Sequence, residues 1–95
     1  MPQRVQKRKG YEEEFQVEKL RKSIEKASRD AGLLENEISK IVEEITSYVL
    51  ESIKDLEIVD TQSLRTLILN KLSENYPMVA EAWRRYDKEV KGREI

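Results

Sequence analysis

The 95 residues carry 39% charged and only 6% aromatic side chains, with a net charge of −1 at pH 7. A chain of this length builds one small core and leaves no room for an enclosed catalytic chamber beside it, and its composition favours short amphipathic helices over a β-sandwich. Cysteine and histidine are both absent, which excludes disulfides, thiolate nucleophiles and thiolate or imidazole metal sites, and removes the commonest general base.

The chain opens on a cationic stretch: Arg4, Lys7, Arg8 and Lys9 precede Gly10, and Glu12, Glu13 and Glu14 follow at once. Residues 5–15 read as two short strands around Gly10, which can take the positive φ of a tight hairpin turn. Side chains alternate along a strand, so Val5 and Lys7 share one face and Gln6 and Arg8 the other. The basic and acidic arms favour antiparallel pairing. From Val17 the period turns helical, with Val17, Leu20, Ile24 and Ala27 on one face, and Gly32 is suited to a left-handed helix end.

A second helix over 35–54 carries the stripe Ile38, Ile41, Val42, Ile45, Tyr48, Val49 and Ile53. Glu57, Ile58 and Val59 are β-prone and predict a third short strand. Asp60 or Thr61 then offers an N-cap oxygen to a helix with Leu64, Leu67, Ile68 and Leu72 inside, running to about residue 74. Pro77 fits the first turn of a fourth helix, whose apolar side is Val79, Ala82, Trp83, Tyr86 and Val90. The predicted fold is α+β and mostly α: a four-helix bundle capped by an N-terminal β-hairpin, one domain over 1–95 with its core at 4–91 and a frayed tail at 92–95. Trp83, Tyr86 and Tyr76 are spaced for core packing rather than for a partner surface.

Lys7, Arg8 and Lys9 beside a glycine turn are the residue types that hold phosphate oxygens, arginine as a planar fork and lysine as a point charge. Taken alone, Lys-Arg-Lys is ordinary solvated surface. A hairpin lying on the first helix, however, brings Val5, Lys7, Glu13, Lys19 and Leu20 to one concave edge. There the cations would neutralise a triphosphate, Glu13 would accept from an exocyclic amine, and Val5 with Leu20 would flank a flat base. For Val5 and Leu20 the plain alternative is core, and for Lys19 a helix-surface lysine. Convergence of Lys7, Glu13 and Lys19 on one cleft tests this reading; groups that point apart, or a cleft plugged by the protein's own side chains, would make a mute scaffold the better description.

The stretch Val5-x-Lys7-Arg8-x-Gly10-x-x-Glu13-x-Phe15-x-x-x-Lys19-Leu20, followed by Ser23-Ile24-x-x-Ala27, resembles the opening of the ATP-cone domain. Ala82-Trp83-x-Arg85-Tyr86 is similar to that family's closing segment, and residues 57–64 fall where it has a short strand and third helix. Two positions depart from the pattern: Lys9 stands where the turn has an acid, and Gln16 where Asp or Asn is common at the helix start. The resemblance implies a helical bundle capped by a small sheet that binds ATP or dATP, with Mg2+ as the usual companion. Carried over by position, Lys7, Arg8 and Lys19 face the nucleotide, the first two mainly its phosphates. Glu13 lies near the adenine, Val5 and Leu20 line the base pocket, and Arg65 makes a phosphate or sugar contact. Such domains stand at the front of ribonucleotide reductases and in a repressor of reductase genes.

No reductase domain or zinc ribbon accompanies the cone, so the resemblance implies a free-standing regulator that acts in trans on a reductase or another protein client, or through a homo-oligomer. The alternative is a helical protein-interaction module with a degenerate cone that has lost its ligand. DNA binding through residues 4–9 ranks below both, since phosphate contacts alone carry no sequence readout. An enzyme is not expected, with no Walker loop and no positioned acid–base pair. No apolar run reaches the roughly 20 residues of a membrane helix and no signal peptide is present, so a cytoplasmic setting is expected.

Overall fold

The computed structural model describes residues 4–7 and 10–90, with backbone alone at 87–90. Arg8, Lys9 and the predicted tail at 92–95 lie outside the described residues. The chain runs β1 (Arg4–Gln6), β2 (Glu12–Glu14), α1 (Val17–Asp30), α2 (Glu35–Ile53), β3 (Ile58–Asp60), α3 (Thr61–Asn75) and α4 (Pro77–Val90). The mostly helical α+β class, the hairpin, four helices and third strand are all present, with helix ends within a residue or so of the sequence expectation.

The sheet has the order β2-β1-β3. β1 and β2 are antiparallel, with Val5 opposite Glu13, and the turn between them closes through Lys7 N–H to the Tyr11 carbonyl at 2.8 Å and Gly10 N–H to the Lys7 carbonyl at 3.0 Å. Gly10 has φ +94°, the left-handed region that side chains with a Cβ rarely enter. Arg4 Nε donates to Glu12 Oε1 at 2.6 Å, so the two arms do pair by charge, along the diagonal of the ladder. β3 joins the other edge of β1 in parallel, setting Val59 beside Val5. Both valines are 4% exposed and face the helices, whereas Ile58 is exposed.

Each helix end follows from its local chemistry. α1 starts at Gln16, whose side chain makes no capping bond. It ends in a Schellman turn, with Gly32 N–H to the Arg29 carbonyl, Leu33 N–H to the Ser28 carbonyl and Gly32 at φ +83°. α2 starts at Leu34, which has no side-chain acceptor; only the reciprocal half of a capping box forms, from Leu34 N–H to Glu37 Oε1 at 3.1 Å. α3 is capped by Asp60, whose Oδ1 accepts from Ser63 N–H at 2.7 Å.

α1 packs on α2 and α4, and α3 packs on α2, α4 and β3. Trp83 is fully buried, with Leu20, Ile24, Ile45, Leu64, Ile68 and Leu72 among its companions in the core. Each such side chain contributes roughly 1.5–3 kcal/mol by leaving water. The buried hydroxyls of Ser23 and Ser28 donate to the carbonyls of Lys19 and Ile24 one turn back, so they cost little. Trp83 is core, as its spacing implied, and Tyr76 and Tyr86 are half-buried. Tyr76 Oη and Asn75 Nδ2 both donate to the Glu44 carboxylate, at 2.9 and 3.0 Å, tying the α3–α4 junction to α2. Among the described residues no helix is long and apolar enough to cross a membrane.

Candidate functional site

Pleating puts Val5, Lys7 and Glu13 on one face of the sheet, because Lys7 lies two residues beyond Val5 and Glu13 is directly across from it. That face looks toward the first turn of α1, where Lys19 stands, and toward the start of α3, where Leu64 stands. The three charged groups meet there. Glu13 Oε2 accepts from Lys19 Nζ at 3.3 Å and pairs with Lys7 Nζ at 3.5 Å. Lys7 is the more enclosed of the two lysines, its side chain 11% exposed against 33% for Lys19, which weakens solvent screening of its charge.

The electrostatics of Glu13 follow from these contacts. Partial burial works against its ionisation, but the hydrogen bond from Lys19 and the charges of Lys7 and Lys19 outweigh it and hold the carboxyl below its ordinary range. The group is therefore a carboxylate at neutral pH. Two ammonium groups reaching one carboxylate oxygen is an arrangement suited to an anion's oxygens.

The cleft at this place is lined by Val5, Glu13, Phe15, Gln16, Lys19 and Leu64, with Glu14 at its edge, and encloses about 10 Å³, roughly the room of one water molecule. Of the residues singled out from sequence, Val5, Glu13 and Lys19 line it and Lys7 joins through Glu13. Leu20, expected to line a base pocket, is completely buried and does not line this cleft. Arg65 is 6% exposed, with its guanidinium over the Trp83 ring, 5.9 Å from the centroid, and it does not line the cleft. Arg8 lies outside the described residues. Glu14, Phe15, Gln16 and Leu64 line it beyond the residues that the sequence singles out. Phe15 directly follows β2, but Leu64 arrives only because β3 pairs with β1, a pairing that no local pattern announces.

A second concavity lies where the α1–α2 loop meets the α3–α4 junction, at the end of the helices away from the sheet. It measures about 310 Å³ and is walled by Leu33, Ile41, Pro77, Met78 and Val79, with Glu37, Lys40 and Asn75 at its edge. One lysine beside one glutamate makes it a poor host for a polyphosphate. Among the described residues no group of three His, Cys, Asp or Glu could hold a metal ion. Residues 3–91 match the model of a family described as the ATP cone domain. No curated protein is a significant match to the chain.

Proposed function

Since the chain belongs to the ATP-cone domain family, whose members are nucleotide-binding regulatory modules and not catalysts, we propose that it binds ATP or dATP at the cleft between sheet and α1 and signals that occupancy to a protein client. The meeting of Lys7 and Lys19 on Glu13 carries the reading. Opened, the same groups present two cations to a phosphate chain and a carboxylate to an exocyclic amine, with Val5 and Leu64 as apolar walls; Leu20 enters as a base-pocket residue carried over by position. Arg8 and Arg65 enter as phosphate or sugar contacts carried over by position. Mg2+ would arrive on the nucleotide's phosphates, since the described residues offer no ligand cluster of their own. The client is a ribonucleotide reductase or another protein reached in trans, or a second copy of the chain, in a cytoplasmic setting.

Titration calorimetry with ATP, dATP and GTP in the presence of Mg2+ tests this. An adenine nucleotide should bind, GTP should not, and Lys7→Ala should weaken binding about tenfold or more, as expected for a charge-assisted contact. Silence from all three nucleotides at millimolar concentration refutes it.

A second reading, a degenerate cone kept as a helical interaction module, is favoured by one observation: a cleft of about 10 Å³ admits no nucleotide until the lysine–glutamate pairs part. Thermal melting separates the two. A binder gains about 2.7 kcal/mol at a hundredfold excess of ligand over Kd; an interaction module melts unchanged and forms a nucleotide-indifferent complex.

A further inference from the structure

Glu13 occupies the place where an incoming anion's charge would go. Its Oε2 holds Lys19 at 3.3 Å and Lys7 at 3.5 Å, its backbone position is fixed across from Val5, and the cleft beside it has room for one water. An acid so placed hinders a polyphosphate in two ways: it already engages both ammonium groups, and it repels phosphate oxygens at short range.

We propose that Glu13 is a displaceable internal counter-anion that disfavours bare polyphosphate in this cleft and favours a phosphorylated ligand that also carries an N–H donor for the displaced carboxylate. The inference rests on the nucleotide reading of the same cleft. When the phosphates of an amine-bearing nucleotide take the two lysines, the base offers Glu13 a new partner and no charge is left unmatched. Inorganic tripolyphosphate at neutral pH brings no base, so its arrival leaves the carboxylate stranded beside like charge. Glu13 is one-third exposed at 32%, so it can turn toward water and the obstacle is a bias, not a wall. The lysine contacts outweigh partial burial and keep the carboxyl ionised, so an incoming anion meets a full negative charge there.

The test is calorimetric titration of the full chain with inorganic tripolyphosphate and, separately, with ATP. Wild type is compared with Glu13→Gln, Glu13→Ala, the double variant Glu13→Gln/Lys7→Ala, and Glu18→Gln, which removes the same charge from the exposed side of α1. Tripolyphosphate should bind about tenfold more tightly to both Glu13 variants than to wild type, the scale of two released ion pairs. The gain should disappear in the double variant, and Glu18→Gln should change affinity less than about twofold. No gain in either Glu13 variant, or an equal gain in Glu18→Gln, overturns the proposal. Wild type that binds ATP without any tripolyphosphate gain on losing Glu13 ends this inference and leaves the nucleotide reading standing. Wild type that ignores ATP, while Glu13→Gln gains tripolyphosphate, ends the nucleotide reading and leaves the counter-anion in place.

Discussion

Replacing Asp60 by alanine should cost about 1.5 kcal/mol, toward the upper part of the range for N-cap losses. Asp60 is the last residue of β3 and the N-cap of α3, with extended backbone at φ −87° and ψ 156°. One carboxylate oxygen accepts from Ser63 N–H at 2.7 Å and the other from Ser63 Oγ at 3.0 Å. The first satisfies an amide at the start of α3 that has no partner within the helix. Because the first turn of α3 carries no other acid, Asp60 also supplies the charge that complements the helix dipole, roughly 0.3–1 kcal/mol at an exposed site. Asp60→Asn keeps the acceptor and gives up the charge, so it should fall between wild type and Asp60→Ala. In a domain of this size about 1.5 kcal/mol lowers Tm by about 6–12 °C. Thermal and urea unfolding followed by far-UV circular dichroism, with equal m-values for the three proteins, would measure this. An alanine variant melting within about 2 °C of wild type, or an asparagine variant no better than alanine, refutes the cap argument.

Trp83→Ala empties the middle of the core, where the indole is completely buried. A loss of about 3–5 kcal/mol, set against a typical total of about 5–15 kcal/mol, should lower the urea midpoint by about a fifth or more and, at the low end of that total, abolish the transition. Glu13 makes stability depend on pH in a definite direction. Its folded-state carboxyl lies below the ordinary range, so the unfolded chain takes up the proton first. The contribution of the lysine pairs is full above the unfolded value and is lost as pH falls through the folded one. Followed from about pH 6 to about pH 2, Tm should therefore fall less steeply in Glu13→Gln than in wild type, and parallel curves would contradict the pairing.

The helices were legible because each carries an apolar stripe long enough to fix its phase: Ile38, Ile41, Ile45 and Val49 on α2 are all buried, as their spacing requires. The hairpin was legible from Gly10 between oppositely charged arms. The parallel partnership of β1 and β3 was not, because three residues show no period and Ile58, the most β-prone of them, points to solvent. The start of α2, expected at residue 35 and found there, was legible from its apolar stripe and not from a cap, since Leu34 has no side-chain acceptor and only Glu37 returns a bond. At the site, strand alternation was enough to bring Lys7 and Glu13 together, and the following helix brought Lys19. Leu64 carries no such signal, because its place in the lining depends on the pairing of β3 with β1. The place of Arg65 over the indole was not legible either, because it is set by how α3 meets Trp83 on α4, which nothing near residue 65 encodes.

The parallel pairing of β1 with β3 means that the cleft is contributed by both halves of the polypeptide. The cationic arm, the acidic arm and the first helix are contiguous, so a fragment ending before β3 would hold Lys7, Glu13 and Lys19 yet lack the strand that anchors β1 and the leucine that closes the far side. The recognisable motif and the cleft are thus different objects. The first can be copied into any chain as a string of letters, whereas the second exists only once the ends of a long excursion through α1 and α2 have come back together.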